Sequence, residues 1–470
     1  MAQPAAGSVA LGIDVGTGST KAGLIDADGQ LVGVARAGHP IDEPAPGCSE
    51  TDPEAWLDSM AAAVAEVRDR WPERPVAAIG MSGQMHGVVV ADRDGVALRP
   101  AVLWSDQRAQ PDLARLGAAL AANGLADRLA NPVVAGMAGP TLAALARTDP
   151  DLVADIEAAV QPKDWVRWQL TGGLATDATD ASATLLWDAE ADRWSTEAAD
   201  AFGVSPSWLA PVRSCSEVGG TLTTAWADRL GVAAGTPVAI GAADTAAALL
   251  GAGVRVGETQ VSVGTGGQIA TLIDRYRPDR AGRTHLFRAV SAAPERGSTW
   301  YAMAAMQNVG IAIEWARTLL DADWDEIDRV MTAKALPSDD LRFRPSLTGE
   351  RTPHMDATLT GRWDGLRSGT GRDEIIRSVF DGVAGSMADG VVALRAAGHQ
   401  IDEAVLAGGG SRSDWWRQLL ADSLGIPLWP HDASDASVRG AGLLAWAAVG
   451  HRLDPAATVT REDPVMLSDR

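Results

Sequence analysis

The chain has 470 residues, an apolar fraction of 46% and a formal net charge of −21. Such a length supports two domains or more, each with its own core, and the acidic balance without a basic stripe argues against a nucleic-acid partner. Two cysteines without metal-ligand spacing, Cys48 and Cys215, an N-terminus lacking a signal-peptide pattern and a longest apolar stretch of only 441–450 together predict a cytoplasmic protein with no membrane partner.

Residues 1–8 read as a disordered N-terminus. The first ordered element is VALGIDV, in which Val9, Leu11, Ile13 and Val15 alternate with Ala10, Gly12 and Asp14. Period two makes it a strand and puts Asp14 on the face opposite the four large apolar residues. The Gly16-Thr17-Gly18 turn leads into a second strand, KAGLID, and the Asp28-Gly29 turn into a third. Helical windows at 53–70, 110–121, 315–320 and 374–397 are interleaved with short apolar strands such as VAAIGMSG, TPVAIGAA and EAVLAGGG. This alternation predicts an α/β architecture.

An internal echo suggests duplicated domains. Val15-Gly16-Thr17-Gly18 recurs as Val263-Gly264-Thr265-Gly266, and Leu24-Ile25-Asp26 as Leu272-Ile273-Asp274, both displaced by 248 positions (263 − 15 and 272 − 24). Two matches in one register predict two domains that each open with a β-hairpin around a Gly-Thr-Gly turn. Glycine lets the backbone approach anionic oxygens closely, and turn N–H groups can point at them, so the pair suits a phosphate clamp. Asp14, beside the first turn, is replaced by Ser262 beside the second; it is the candidate for holding a magnesium ion, which favours one or two carboxylates plus phosphate oxygens.

Asp244 lies in TPVAIGAADTAAALLGAG, where an apolar strand passes into an Ala-rich helical segment that starts near Thr245. A carboxylate at a helix N-terminus is kept ionised by the dipole and can take a proton from a substrate hydroxyl. The competing reading is a plain N-cap, since Asp is a preferred capping residue. Further on, EAVLAGGGSRSDWWRQLLADSLG reads as a strand, three glycines (Gly408, Gly409 and Gly410) and a helix with Trp416, Leu419, Leu420 and Leu424 on one face. A flat nucleotide fits against such glycines, with Ser413 capping the helix or touching the ligand.

Taken in order, GIDVGTGSTK, GQMHG at 83–87, LWSDQR at 103–108, PKDWVRWQLTG, TDATDASAT, ADTAA, SVGTGG, TGERTPH and AGGGSRSDWWRQLLAD resemble the FGGY carbohydrate kinases, and within them the xylulokinases. The resemblance runs nearly end to end. It implies two actin-like, ribonuclease-H-like domains hinged around a cleft: an N-terminal sugar-binding domain over 9–250, a C-terminal nucleotide-binding domain over 251–460 and a tail at 461–470.

Carried over residue by residue, the resemblance makes Asp244 the general base and Asp14 the metal residue. Met85, His86, Asp106, Asp244 and Thr245 contact the sugar. Thr17, Gly18, Lys21, Gly264, Thr265, Gly310, Gly408, Gly409, Gly410 and Ser413 serve ATP and its phosphates. The implied reaction is the MgATP-dependent phosphorylation of a pentulose, D-xylulose at its 5-hydroxyl, by a chain that forms a homodimer by family habit.

Two departures bear on the substrate. Thr245 stands where xylulokinases carry Asn, and Thr141 and Ala144 replace a Lys and a Trp of a family segment near the cleft. Kinases of ribulose, L-xylulose, a pentitol or glycerol therefore remain alternatives. An actin-like or chaperone-like ATP switch that binds protein partners is the alternative of a different class.

Overall fold

The computed structural model describes residues 7–291, 298–333, 340–408, 413–431 and 435–468. They form two compact units, the first drawn from within Met1–Gly253, Phe287–Trp300 and Asp435–Val459, the second from within Val254–Leu286, Tyr301–Ser434 and Thr460–Arg470. Two segments that the sequence reading put in the second domain, Phe287–Trp300 and Asp435–Val459, thus pack with the first unit.

In the first unit the chain opens with β1 (Val9–Val15), β2 (Ser19–Ile25) and β3 (Leu31–Gly38), then helix α1 (Pro53–Arg70) and strand β4 (Val76–Gly83). Asp52 caps α1 by accepting from the Glu54 N–H, and Pro53 sits in the first turn, where its missing N–H costs nothing. Val9, Leu11, Ile13 and Val15 are fully buried in one cluster with Trp56, Met60, Val64 and Val67 of α1. Each such side chain contributes about 1.5–3 kcal/mol of burial energy.

The opposite face of β1 is buried too, which simple alternation does not predict. The helix Ala436–Ala448 covers it through small residues: a Cβ on Gly12 would lie 2.2 Å from the Val438 carbonyl oxygen. Only glycine permits that approach. Asp14 is on this face and is therefore buried, at 8% exposure.

After α2 (Pro162–Thr171) come β5 (Val218–Thr221), β6 (Pro237–Ala239), β7 (Ala242–Ala243) and α3 (Asp244–Gly251). The apolar run TPVAIGAA is broken into β6 and β7 at Gly241, whose φ of +90° and whose absent Cβ, which would meet the Met81 carbonyl oxygen at 2.3 Å, demand glycine. The sheet order is β5-β6-β4-β1-β2-β3, with β7 beside β4. β1 pairs antiparallel with β2 and parallel with β4.

The second unit repeats this plan. Its main sheet holds β8 (Thr259–Val263), β9 (Gly267–Ile273), β10 (His285–Arg288), β11 (Trp300–Met306), β12 (Ala404–Ala407) and β13 (Leu428–Pro430), in the order β10-β11-β9-β8-β12-β13, with Phe287, Arg288 and Trp300 at the strand ends grouped with the first unit. β8 pairs antiparallel with β9 and parallel with β12, as β1 does with β2 and β4. Its helices include α4 (Gly310–Leu319), α5 (Arg372–Ala396) and α6 (Asp414–Leu424); α7 (Ala436–Ala448) returns to the first unit. α5 buries Val383, Met387 and Leu394, and a Cβ on its Gly390 would lie 3.2 Å from Ile269 of β9. The hairpin echo in the sequence is thus a duplicated topology, and the α/β class holds. Among the described residues no helix is long and apolar enough to cross a membrane.

Candidate active site

Asp244 is the first residue of α3, and Ala243 occupies the cap position without a side-chain bond. The capping alternative therefore does not describe it. Its carboxylate is oriented instead by its neighbour: Oδ1 accepts from the Thr245 N–H at 2.6 Å and from the Thr245 hydroxyl at 3.2 Å. Among the described residues Oδ2 accepts no hydrogen bond. Burial, and then the charge of Asp14, push the carboxyl up to about 7 against the pull of these two bonds.

A buried chain of polar contacts fixes the strand that delivers Asp244. The Ala243 N–H donates to Thr179 Oγ1 at 2.8 Å, and Thr179 in turn donates from its N–H (2.7 Å) and its hydroxyl to Asp177. Asp177 Oδ2 lies 2.7 Å from Lys163 Nζ, which also meets Asp164 at 2.5 Å and Asp180 at 3.0 Å. Lys163 and all three carboxylates have no solvent exposure. Burial lowers the lysine's affinity for its proton, but the three carboxylates outweigh it and hold the ammonium well above its usual range, while burial drives Asp180 well up. The ammonium is the cation of this acidic cluster.

Around Asp14, the Ser82 hydroxyl donates to Oδ1 at 2.8 Å and the Ser437 hydroxyl to Oδ2 at 2.7 Å. Lys21, directly across the β1–β2 ladder, bonds Asp435 at 2.8 Å. The Thr17 hydroxyl accepts from Trp104 Nε1 at 2.9 Å, and the Thr17 carbonyl oxygen is 3.0 Å from His39 Nε2. Gly18, at the tip of the same turn, is exposed. An all-oxygen setting, with a second carboxylate near enough for Asp14 to shift it, fits a hard divalent cation.

Of the residues expected to meet sugar, Met85 and His86 are buried at 5% and 8% exposure. His86 holds a φ of +71°, a conformation rare outside glycine. Its Nδ1 lies 2.8 Å from the Ala183 carbonyl oxygen, so that nitrogen carries a proton and donates it. Asp106, at 1% exposure, is engaged by protein groups: the Ser49 N–H at 2.7 Å, and the Arg108 N–H and guanidinium, each at 2.8 Å. Thr245 touches Asp244 itself, as described.

In the second unit, Gly264, Gly310 and Ser413 come together on a cavity of about 420 Å3 that Trp324, Phe380, Trp415 and Trp416 also line. The Gly310 N–H donates to the Gly264 carbonyl at 3.0 Å and the Ile311 N–H to the Thr265 carbonyl at 3.0 Å. A Cβ on Gly310 would lie 2.4 Å from the Gly264 oxygen, so glycine is required where α4 meets the hairpin. Gly408 (φ +99°) closes in on the Val263 carbonyl in the same way. Gly409 and Gly410 lie outside the described residues.

The sequence reading assigned no role to Thr179, Asp177 or Lys163, although it singled out the segments that hold them. Trp324 and Trp415, which wall the cavity beside Gly264, were likewise given no role. Polar residues crowded into otherwise apolar context were the available signal for the first group; none marked the tryptophans.

Two duplicated α/β units, one presenting a poised carboxylate and the other an apolar cavity edged by glycines, define a phosphotransferase. Residues 9–251 match the N-terminal domain, and 260–449 the C-terminal domain, of the FGGY family of carbohydrate kinases. A xylulose kinase of Streptomyces rubiginosus is 32% identical over 470 residues, covering 96% of this chain and 92% of the relative. The crystal structure of a xyloylose kinase from Brucella ovis superposes with a TM-score of 0.89 at 32% identity, covering 98% and 95% of the two chains. A gluconate kinase from Lactobacillus acidophilus shares the fold, with a TM-score of 0.90 at 23% identity and coverage of 98% and 94%. The chain belongs to the FGGY family of carbohydrate kinases. It is a sugar kinase that uses ATP as its co-substrate.

Proposed function

We propose that the chain transfers the γ-phosphoryl group of MgATP to the 5-hydroxyl of a pentulose, D-xylulose, in the cytoplasm, with Asp244 as general base. The observation that carries this reading is a carboxyl at about pKa 7 with one oxygen oriented and the other unengaged. A base is most effective when its pKa lies near the working pH.

In this account Met85, the Nε2 of His86 and Thr245 contact the sugar hydroxyls, with Asp106 holding its loop in place through Arg108. Asp244 Oδ2 takes the proton of the attacking hydroxyl as the new O–P bond forms. The bond from the γ-phosphorus to its bridging oxygen breaks, and its electron pair leaves with ADP. Positioned proton transfer of this kind contributes on the order of a hundredfold to ten-thousandfold. The transition state is loose, so donors around the equatorial oxygens supply much of the rest; Thr17, Gly18 and Lys21 of the first unit serve there, while Gly264 and Thr265 of the second bind ATP. Asp14 would hold the magnesium ion, which neutralises phosphate charge when bound. Adenine lies in the aromatic cavity beside Gly310, Gly408 and Ser413.

A coupled assay over D-xylulose, D-ribulose, L-xylulose, xylitol, gluconate and glycerol tests the substrate. D-Xylulose is expected to give the highest kcat/KM, by tenfold or more, which is about 1.4 kcal/mol of discrimination. A higher value for any other acceptor contradicts the assignment.

A further inference from the structure

The first unit holds another cavity, of about 410 Å3, lined by none of the residues given above to sugar, nucleotide or metal. Its wall carries three arginines, Arg213, Arg288 and Arg452, against a single carboxylate, Asp192. In a chain of net charge −21, a concave surface with this excess of positive charge focuses the field for an anion.

The arginines are preorganised to different degrees. Arg288 is held at its backbone N–H by Ser182 Oγ (2.9 Å), its guanidinium lies 4.8 Å from the Trp300 ring centroid, and one terminal nitrogen is 3.1 Å from Asp192. Its Nε is buried and has no hydrogen-bond partner among the described residues. Arg213 spends one nitrogen on Glu217 and the Val218 carbonyl, leaving the rest of its fork. Arg452 is exposed and makes no ion pair among the described residues. Hydroxyls of Ser214 and Ser291 stand on the same wall. Guanidinium forks with hydroxyl donors match the geometry of a phosphate group better than that of a neutral sugar. The volume suits a small metabolite.

The geometry points to a second ligand site, separate from catalysis, that binds a small phosphorylated sugar of pentose-phosphate size. Its wall also includes Thr179, which holds the Ala243 N–H, and Leu250, in the last turn of the helix that begins at Asp244. An occupant therefore touches the support of the base at two points, and its binding is coupled to turnover. That coupling rests on Asp244 being the base; the binding itself does not.

Isothermal titration of the full chain at saturating ADP, with D-ribose 5-phosphate, inorganic phosphate and D-ribose as probes, tests the site. One equivalent of ribose 5-phosphate is expected to bind, phosphate more weakly and ribose not at all. Arg452→Glu and Ser214→Glu, both at exposed positions, should each weaken binding by about tenfold or more while leaving kcat and KM in the absence of the ligand unchanged. Absence of binding at millimolar concentration under these conditions, or indifference to both substitutions, overturns the proposal. Equal binding of inorganic phosphate overturns its assignment to a sugar phosphate.

Discussion

The Thr179 hydroxyl accepts a 2.8 Å hydrogen bond from the backbone N–H of Ala243, so the residue preceding Asp244 is tied to a fully buried ion cluster. Misplacing a catalytic group by an ångström can cost on the order of a hundredfold in rate. Thr179→Val is therefore expected to lower kcat by about tenfold to a hundredfold with KM for ATP unchanged. Thr179→Ser, which keeps the hydroxyl, should restore most of it. Steady-state kinetics on the two variants decides the matter; equal losses in both would mean that the residue only fills space.

The carboxyl of Asp244, raised to about 7, sets both a rate profile and a stability profile. As the proposed base it must be ionised, so kcat/KM for the sugar should climb tenfold per pH unit below about 7 and level off above it. For stability the sign is opposite. The folded carboxyl holds its proton to a higher pH than the unfolded one, whose ordinary value is 3.8, so unfolding releases a proton between these values and stability falls as pH rises through them. Asp244→Asn removes that penalty. Thermal melts of the unliganded variant should show a gain over the parent that is absent at pH 3.5, grows towards pH 7 and is constant above it.

Lys163 is the cation shared by Asp164, Asp177 and Asp180. Its replacement by Met leaves buried like charges without their partner, and breaking a buried pair in this way costs about 3–5 kcal/mol. Urea unfolding of Lys163→Met measures it. A loss below about 1 kcal/mol, the level of a surface ion pair, would contradict the role given to the cluster.

Trp415 is held by a 2.8 Å bond from its Nε1 to Asp328 and lines the cavity with Trp324. Stacking of a base on an aromatic side chain contributes about 1–3 kcal/mol. Trp415→Ala should thus raise KM for ATP by about tenfold or more with little change in KM for the sugar.

The fold was legible where the sequence carried a period or a repeat. The alternation in VALGIDV and the Gly-Thr-Gly echo lead directly to the two hairpins. The start of α1 follows from Pro53 and the Asp52 cap. What local pattern could not reveal is long-range: the second face of β1 is buried because α7, more than 400 positions on, crosses at Gly12, and no period within β1 encodes that partner. The same limit explains why Phe287–Trp300 and Asp435–Val459 join the first unit. At the site, strand-to-helix context marked Asp244, but its orientation by Thr245 and its support by Thr179 depend on contacts between side chains and on segments distant in sequence.

Single-turnover phosphorylation of D-xylulose by Asp244→Asn, alongside equilibrium binding of ATP, tests the general-base assignment most directly. The substitution keeps the shape of the side chain and removes its capacity to take a proton. The rate is expected to fall by about a hundredfold to ten-thousandfold and to lose its dependence on pH near 7, with ATP affinity unchanged. Turnover within a few-fold of the parent, still following a group of pKa near 7, would contradict it.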